Sequence, residues 1–288
     1  MFRGGVSLVR VDAQVLEGRR VLGGLSQEDF VVRDQGEPQE IVYFGRETEP
    51  LWVVLLLDVS GSMRKRVEQM ASVSRQALAL LRPSDQVAVL LFARNMGVHL
   101  GFTANLSSAA AAIASALRVQ DLGSGTAINA AITQAAAWMR GPLEGKPGRR
   151  AIVVLTDNEG LNYQATDEKT IEALYDSDAV LNAIVPAGAR PPELPRPGVA
   201  LNPDFTPPDV FRLARETGGE VERADQAGVA FREMLDRIRT RYSIHYRAPE
   251  TSGRARRRIA VDLSPAARRR RPRAEVLARA GYWTRPAP

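Results

Sequence analysis

Residues 51–62 read LWVVLLLDVSGS, and this stretch decides the fold class. The positions from Leu51 to Leu57 are all apolar, which is typical of a strand that is buried on both faces of a sheet. A polar loop follows, and then a stretch of helical periodicity that ends before Pro83. A buried strand that leads through a polar loop into an amphipathic helix indicates a doubly wound α/β sheet.

The alternation of strands and helices continues to about Thr240. Further strands are predicted at 86–92, 98–102, 151–156 and 180–185, and helices at 106–117, 127–139, 167–175, 208–217 and 227–239. Only Ala93 to Gly97 separate two of these strands, so one strand at that edge should run antiparallel. Residues 186–208 contain eight prolines and are predicted to form a surface loop.

The two ends of the chain have a different pattern. Val6 to Leu16 alternates apolar and polar residues, and short strands are predicted at 30–33, 40–44, 242–247, 258–263 and 275–282. Neither end has enough strands to bury a sheet by itself. We therefore expect residues 1–48 and 241–288 to pair into one small discontinuous β domain. The α/β body, residues 49–240, would be inserted into it.

Composition and charge argue against several classes of protein. The chain has no cysteine and only two histidines, His99 and His245, which excludes thiolate sites and argues against a zinc site. The longest apolar run is far shorter than the roughly 20 residues that span a bilayer, so no transmembrane segment is expected. The net charge of +6 is unevenly placed: residues 241–288 hold 13 arginines against three acidic residues, about +10, which leaves about −4 on residues 1–240. The arginines of this C-terminal segment at 254, 256–258, 268–271 and 273 could form a surface for nucleic acid or anionic lipid, but no aromatic-interleaved basic motif of a nucleic-acid module accompanies them, so we expect a solvated hairpin between strands.

Oxygen-bearing side chains cluster after two buried strands and after one glycine-rich break. The five candidate metal ligands are Asp58, Ser60, Ser62, Thr126 and Asp157. Each motif alone is compatible with a helix cap or a turn. Together, however, three such loops should converge at the carboxyl edge of the sheet, where ligands bind in doubly wound folds. A donor set made only of oxygen suits a small hard cation, so we predict Mg²⁺, with Mn²⁺ or Ca²⁺ as alternatives.

Three segments resemble the von Willebrand factor A family with an intact metal-ion-dependent adhesion site. They are 53–63 (VVLLLDVSGSM), 123–127 (GSGTA) and 153–157 (VVLTD), within a resemblance that covers about residues 50–240. The resemblance implies a Rossmann-like, mostly parallel six-stranded sheet with one antiparallel edge strand. It also implies that the serines and the threonine bind the metal directly, and that the aspartates bind it directly or through water. One departure is Asn158, where the family often has glycine.

The ends of the chain resemble a narrower bacterial group of proteins related to this family. The resemblance rests on 9–12 (VRVD), 25–34 (LSQEDFVVRD) and 281–283 (GYW). Members of that group are usually exported, yet no apolar leader follows Met1. We therefore expect an exported protein whose leader is missing or removed, and otherwise a cytoplasmic one.

The leading functional hypothesis is a non-enzymatic interaction module. In this hypothesis the cation captures an aspartate or glutamate carboxylate of a partner protein. Two alternatives stay open: a Mg²⁺-dependent phosphoryl hydrolase, in which Asp58 is a nucleophile or a ligand, and a subunit of an ATPase-driven assembly or chaperone system.

Overall fold

The computed structural model describes residues 8–46, 49–118, 122–160, 162, 165–193, 207–249 and 253–284. Among these residues, five strands precede the α/β body: β1 (Leu8–Glu17), β2 (Arg20–Val21), β3 (Phe30–Asp34), β4 (Glu37–Gln39) and β5 (Ile41–Arg46). None of the described helices is long and apolar enough to cross a membrane. Most of the predicted proline-rich loop, residues 194–206, lies outside the described residues.

The body is a sheet with helices on both faces. Its strands are β6 (Leu51–Asp58), β7 (Gln86–Phe92), β8 (Met96–Thr103), β9 (Arg149–Leu155), β10 (Ala179–Val185) and β11 (Val221–Arg223). Its helices are α1 (Arg64–Leu78), α2 (Leu106–Ser115), α3 (Ile128–Arg140), α4 (Asp167–Asp176), α5 (Val210–Thr217) and α6 (Ala227–Arg239). This architecture confirms the predicted mixed α/β fold.

The strand order of the body is β11-β10-β9-β6-β7-β8. All neighbours are parallel except β7 and β8, so the predicted antiparallel edge strand is confirmed. From β6 the chain moves outward to β7 and later returns to β9 on the other side of β6. The change of direction therefore lies between β6 and β9, which is where a crevice opens at the carboxyl edge of such a sheet.

The central strand β6 explains why both faces of the sheet are covered. Its odd-numbered residues, such as Leu55, pack with helices α1, α2 and α6. Its even-numbered apolar residues, such as Val54, pack with α3, α4 and α5. Successive side chains of a strand point to opposite faces, so an uninterrupted apolar run fills both cores at once.

The two ends of the chain pair with each other, as the sequence predicts. The C-terminal elements are β12 (Tyr242–Arg247), β13 (Arg256–Leu263), α7 (Pro265–Arg270), β14 (Glu275–Leu277) and β15 (Gly281–Trp283). One sheet has the order β14-β1-β12-β5, with β2 beside β1, and the other has the order β15-β13-β3-β4. Both sheets contribute to one apolar core. The boundaries at residues 48 and 240 remain a proposal.

Two predictions for the C-terminal segment were wrong. The single strand predicted at 275–282 is split into β14 and β15, which belong to different sheets. Arg279 lies between them and turns inward, where its Nε donates to the Gly281 carbonyl at 2.8 Å. The arginines predicted to form a solvated hairpin lie instead in regular elements: residues 256–258 begin strand β13, and residues 268–270 belong to helix α7, whose first turn is capped by the Ser264 hydroxyl.

Several arginines of the C-terminal segment form ion pairs with carboxylates of the body. Arg254 contacts Glu172 at 2.7 Å and Asp176 at 2.9 Å, and both acids are on α4. Arg256 contacts Glu216 on α5 at 3.2 Å. Part of the positive charge of the C-terminal segment is therefore neutralised within the molecule, where this segment contacts the α/β body.

Candidate metal centre

Asp58 lies at the end of β6, directly beside β9 in the sheet. Its side chain is fully buried. The Ser60 backbone N–H donates to Oδ1 at 2.9 Å, and the Thr156 hydroxyl donates to Oδ2 at 3.0 Å. Because Thr156 follows the end of β9, this carboxylate joins the loops after the two central strands.

The two serines and Asp157 form a short chain of oxygen atoms at the surface. The Ser60 and Ser62 hydroxyl oxygens are 3.4 Å apart. The Ser62 hydroxyl donates to Asp157 Oδ2 at 2.6 Å, and the Glu159 N–H donates to Asp157 Oδ1 at 3.0 Å. Four of the five candidate ligands are thus linked within two neighbouring loops.

The backbone of Thr126 lies against the loop that follows Asp157. A Cβ added at Gly160 would lie only 2.6 Å from the Thr126 carbonyl oxygen, so the third loop presses against the loop after Asp157. Gly125 has a φ of +92°, which L-residues with a side chain rarely adopt. The Ala127 N–H then donates to the Ala93 carbonyl at 2.9 Å, just after β7. These contacts hold Thr126 at the carboxyl edge of the sheet.

Burial and, to a smaller extent, the neighbouring Asp157 carboxylate together raise the pKa of Asp58 to about 6. Hydrogen bonds from Ser60 and Thr156 act in the opposite direction. Two carboxylates that converge in a partly buried crevice repel each other, and a cation between them would relieve that repulsion.

The observed spacing of the oxygen atoms suits a small divalent cation. Two ligands at about 2.1 Å in adjacent octahedral positions lie about 3.0 Å apart. The distances of 2.6 Å from Ser62 to Asp157 and 3.4 Å from Ser60 to Ser62 lie on either side of that value. Within the described parts of the chain, no group of three or more His, Cys, Asp or Glu residues could hold a metal. The hydroxyl groups would therefore have to complete the site.

Residues 53–160 match a family model described as the von Willebrand factor type A domain. This part of the chain is a von Willebrand factor type A domain. The match includes all five candidate ligands and begins at the third residue of β6. No protein of curated function matches the chain.

Three solved structures are similar to the chain. An aerotolerance-related membrane protein from Bacteroides fragilis has 23% identity and a TM-score of 0.48, over 65% of this chain and 98% of that one. The conserved hypothetical protein BatB from Bacteroides thetaiotaomicron has 23% identity and a TM-score of 0.49, over 65% and 97%. The vWF domain of the type V pili tip protein Mfa5 from Porphyromonas gingivalis has 16% identity and a TM-score of 0.33, over 40% of each chain.

Asn158 has a structural role in this A domain. Its φ is +63°, the left-handed conformation that glycine adopts freely and asparagine adopts more readily than most residues. Its side chain accepts from the Val210 N–H at 3.2 Å and donates to the Arg190 carbonyl at 3.3 Å. The departure from glycine therefore keeps the turn after β9 and adds two bonds to the neighbouring loops.

Three residues that support the candidate ligands of the A domain were not predicted from the sequence. They are Thr156, which donates to Asp58, Asn158, which joins three loops, and Gly160, which packs on Thr126. Only the role of Thr156 had a signal in the sequence, because a hydroxyl residue directly before Asp157 can donate to a neighbouring carboxylate. The other two contacts depend on segments that are distant in sequence.

Proposed function

We propose that the A domain binds one divalent cation through Asp58, Ser60, Ser62, Thr126 and Asp157, and that this cation captures an aspartate or glutamate carboxylate of a partner protein. Mg²⁺ is the proposed ion, and Mn²⁺ and Ca²⁺ are the alternatives. The observation that carries the proposal is the oxygen chain from Ser60 through Ser62 to Asp157, which joins two loops at the switch point of the sheet.

The composition of the donor set supports the capture of a carboxylate. Three of the five side chains are neutral hydroxyls, and aspartates that bind partly through water leave the charge of a divalent ion poorly compensated. The three hydroxyls and the two aspartates, which bind the ion directly or through water, account for five of the six positions of an octahedral ion and leave one for an oxygen from outside. The bound cation would supply the positive charge that makes such a contact strong and directional.

The same geometry supports a binding role over phosphoryl hydrolysis. An aspartate nucleophile needs a carboxylate oxygen that faces the substrate. Asp58 is fully buried, and both of its oxygens accept hydrogen bonds. Turnover of p-nitrophenyl phosphate tests this directly: activity that requires Mg²⁺ and is lost in Asp58→Asn would favour the hydrolase.

Calorimetric titration with MgCl₂ tests the metal site by itself. We expect the wild type to bind one equivalent, and Asp58→Ala and Ser62→Ala to bind at least about tenfold more weakly. Ser72→Ala is the matched control, because Ser72 is an exposed serine of α1 that donates only to the Gln69 carbonyl. Equal Mg²⁺ affinity of the wild type and Asp58→Ala would refute the proposal.

Co-purification from cells of the native species tests the partner. We expect a partner that is retained with Mg²⁺, lost with chelator and lost with Asp58→Ala. Recovery of an ATPase would instead favour a role of the same site in an assembly machine.

Export of the protein, which the resemblance of the chain ends implies, stays a prediction. Cell fractionation with an antibody against the chain tests it.

A further inference from the structure

Two basic residues, Arg64 and Lys65, begin helix α1 directly after the 3-10 turn that contains Ser62. Both side chains are exposed. Neither forms an ion pair with a residue in the described ranges, although many arginines elsewhere in the chain do. Two cations that have no ion-pair partner among the described residues therefore lie beside the candidate metal centre.

The stability of the helix does not account for these two residues. The first turn of a helix carries the positive end of its dipole, so cations there are unfavourable and acidic residues are preferred. Helix α4 follows this rule, since it begins with Asp167 and Glu168. The first turn of α1, like those of α2, α3, α5 and α6, has no acidic residue, and in α1 two cations occupy it. Arg64 and Lys65 thus lie where the helix by itself disfavours them.

The direction of the side chains places this charge at the carboxyl edge of the sheet. Side chains of a helix lean toward its N-terminus, and the N-terminus of α1 adjoins Ser62. Arg66, the next residue, shows how far such a side chain reaches: its Nη1 donates at 3.0 Å to the carbonyl of Ala224, directly after β11. Arg64 and Lys65 therefore border the same edge on which the candidate ligands lie.

We infer that Arg64 and Lys65 bind further carboxylates of the partner, so that the captured segment is an acidic stretch of protein with several aspartates or glutamates. This inference rests on the proposed function, because one carboxylate of that stretch occupies the cation. The other carboxylates offset the two unpaired charges. Exposed charges of this kind raise the association rate and set specificity more than they add affinity.

The test uses an oligoglutamate peptide and the full chain with saturating Mg²⁺. The double variant R64E/K65E removes the basic pair, and R75E/R140E is the matched control with the same change in net charge. Arg75 lies about 16 Å farther along α1, and Arg140 is in the last turn of α3; both are exposed. Affinity is measured by fluorescence anisotropy at low and high salt, beside a glycine peptide that carries one glutamate.

At low salt we expect R64E/K65E to bind oligoglutamate at least about fivefold more weakly than the wild type. The control variant should bind like the wild type, and the single-glutamate peptide should be affected less. R64E/K65E should also melt at the same or a higher temperature, because the helix start then carries acidic residues. A loss of binding without a loss of stability is the signature of a contact with the partner.

Three outcomes would overturn the inference. They are no binding of oligoglutamate to the wild type, equal binding by R64E/K65E, and tighter binding of an oligothymidylate of equal charge, which would indicate a nucleic-acid partner. None of these outcomes affects the Mg²⁺ titration of Asp58→Ala. The proposed function therefore fails or survives by that separate measurement.

Discussion

The guanidinium group of Arg149 donates a hydrogen bond to the backbone carbonyl of Arg239 across 2.9 Å. It also donates to the carbonyls of Ile238 at 3.1 Å and Arg241 at 3.3 Å. The last carbonyls of a helix have no partner within the helix. Arg149 therefore ties the end of α6 to the start of β9, just before the chain enters the terminal sheets at Tyr242. This buried contact fixes the point where the α/β body meets those sheets.

Replacing Arg149 should be among the most destabilising single changes in the chain. Arg149→Gln leaves buried carbonyls without donors, so we expect the free energy of unfolding to fall by about 3 kcal/mol. Urea unfolding followed by circular dichroism measures this change. Arg140→Gln, at an exposed arginine, should stay within about 0.5 kcal/mol of the wild type. Equal stability of the two variants would contradict the bridging role.

Gly160 offers a way to move Thr126 without altering any candidate ligand. In Gly160→Ala the new methyl group would lie 2.6 Å from the Thr126 carbonyl, so that loop must shift. We expect about tenfold weaker Mg²⁺ binding, comparable to the loss of a group that orients a ligand. Gly188→Ala is the control, since a methyl group there meets nothing within 4 Å. Unchanged Mg²⁺ affinity would contradict a link between the Gly160 contact and the metal site.

Asn158 should be more sensitive to alanine than to glycine. Asn158→Gly keeps the left-handed turn and loses the bonds to Val210 and Arg190, which we expect to cost about 1–2 kcal/mol. Asn158→Ala also has to hold a Cβ at a φ of +63°, which adds about 1 kcal/mol. Thermal unfolding of the three proteins gives the order. A glycine variant less stable than the alanine variant would contradict the conformational argument.

Alkaline pH should destabilise the chain through buried tyrosines. Tyr246 and Tyr282 donate hydroxyl protons to Asp34 Oδ2 at 2.9 and 2.8 Å. Burial, then the bond to Asp34, raises the pKa of Tyr282 to about 12, and burial raises that of Tyr175 to about 12. Unfolded tyrosine has a pKa of about 10. The folded state therefore holds these protons more tightly, and that stability is complete below about pH 10 and is lost as the pH rises toward 12.

Tyr282→Phe separates this effect from general alkaline damage. At about pH 8 the variant should lose about 2 kcal/mol of stability, because a hydrogen bond to a buried carboxylate disappears. Its further loss toward high pH should be smaller than that of the wild type, because one titrating group is gone. Denaturant midpoints across the pH series measure how steeply the stability of each protein falls with pH. Parallel slopes would indicate that Tyr282 ionises equally in both states.

The fold of the body was predictable because its signals are local. The apolar runs of β6 and β9 predict strands buried on both faces, and α6 was predicted with the bounds that the structure has, Ala227–Arg239. The five residues between two strands predicted the hairpin of β7 and β8. Each of these features depends on side chains within a few positions of one another.

The elements that were missed are short or depend on distant contacts. Strand β11 has only three residues, Val221–Arg223, two of them charged, and it forms because β10 offers a free edge. Helix α7 has only six residues, PAARRR, which is too short to show a helical pattern of apolar residues. The break between β14 and β15 follows from Arg279, which pairs with Asp178 on the body at 3.0 Å. None of these partners is near in sequence.

By itself the sequence determined the chemistry of the candidate site: Asp58, Ser60, Ser62, Thr126 and Asp157 were named from their types and their positions after buried strands. Only the tertiary structure decided how these groups support one another. Thr156 holds Asp58, and Ser62 bridges to Asp157 from a loop on the neighbouring strand. The physical reason is that residue type sets which atoms can bind a cation, whereas the distances among them depend on parallel strands that pair far apart in the chain.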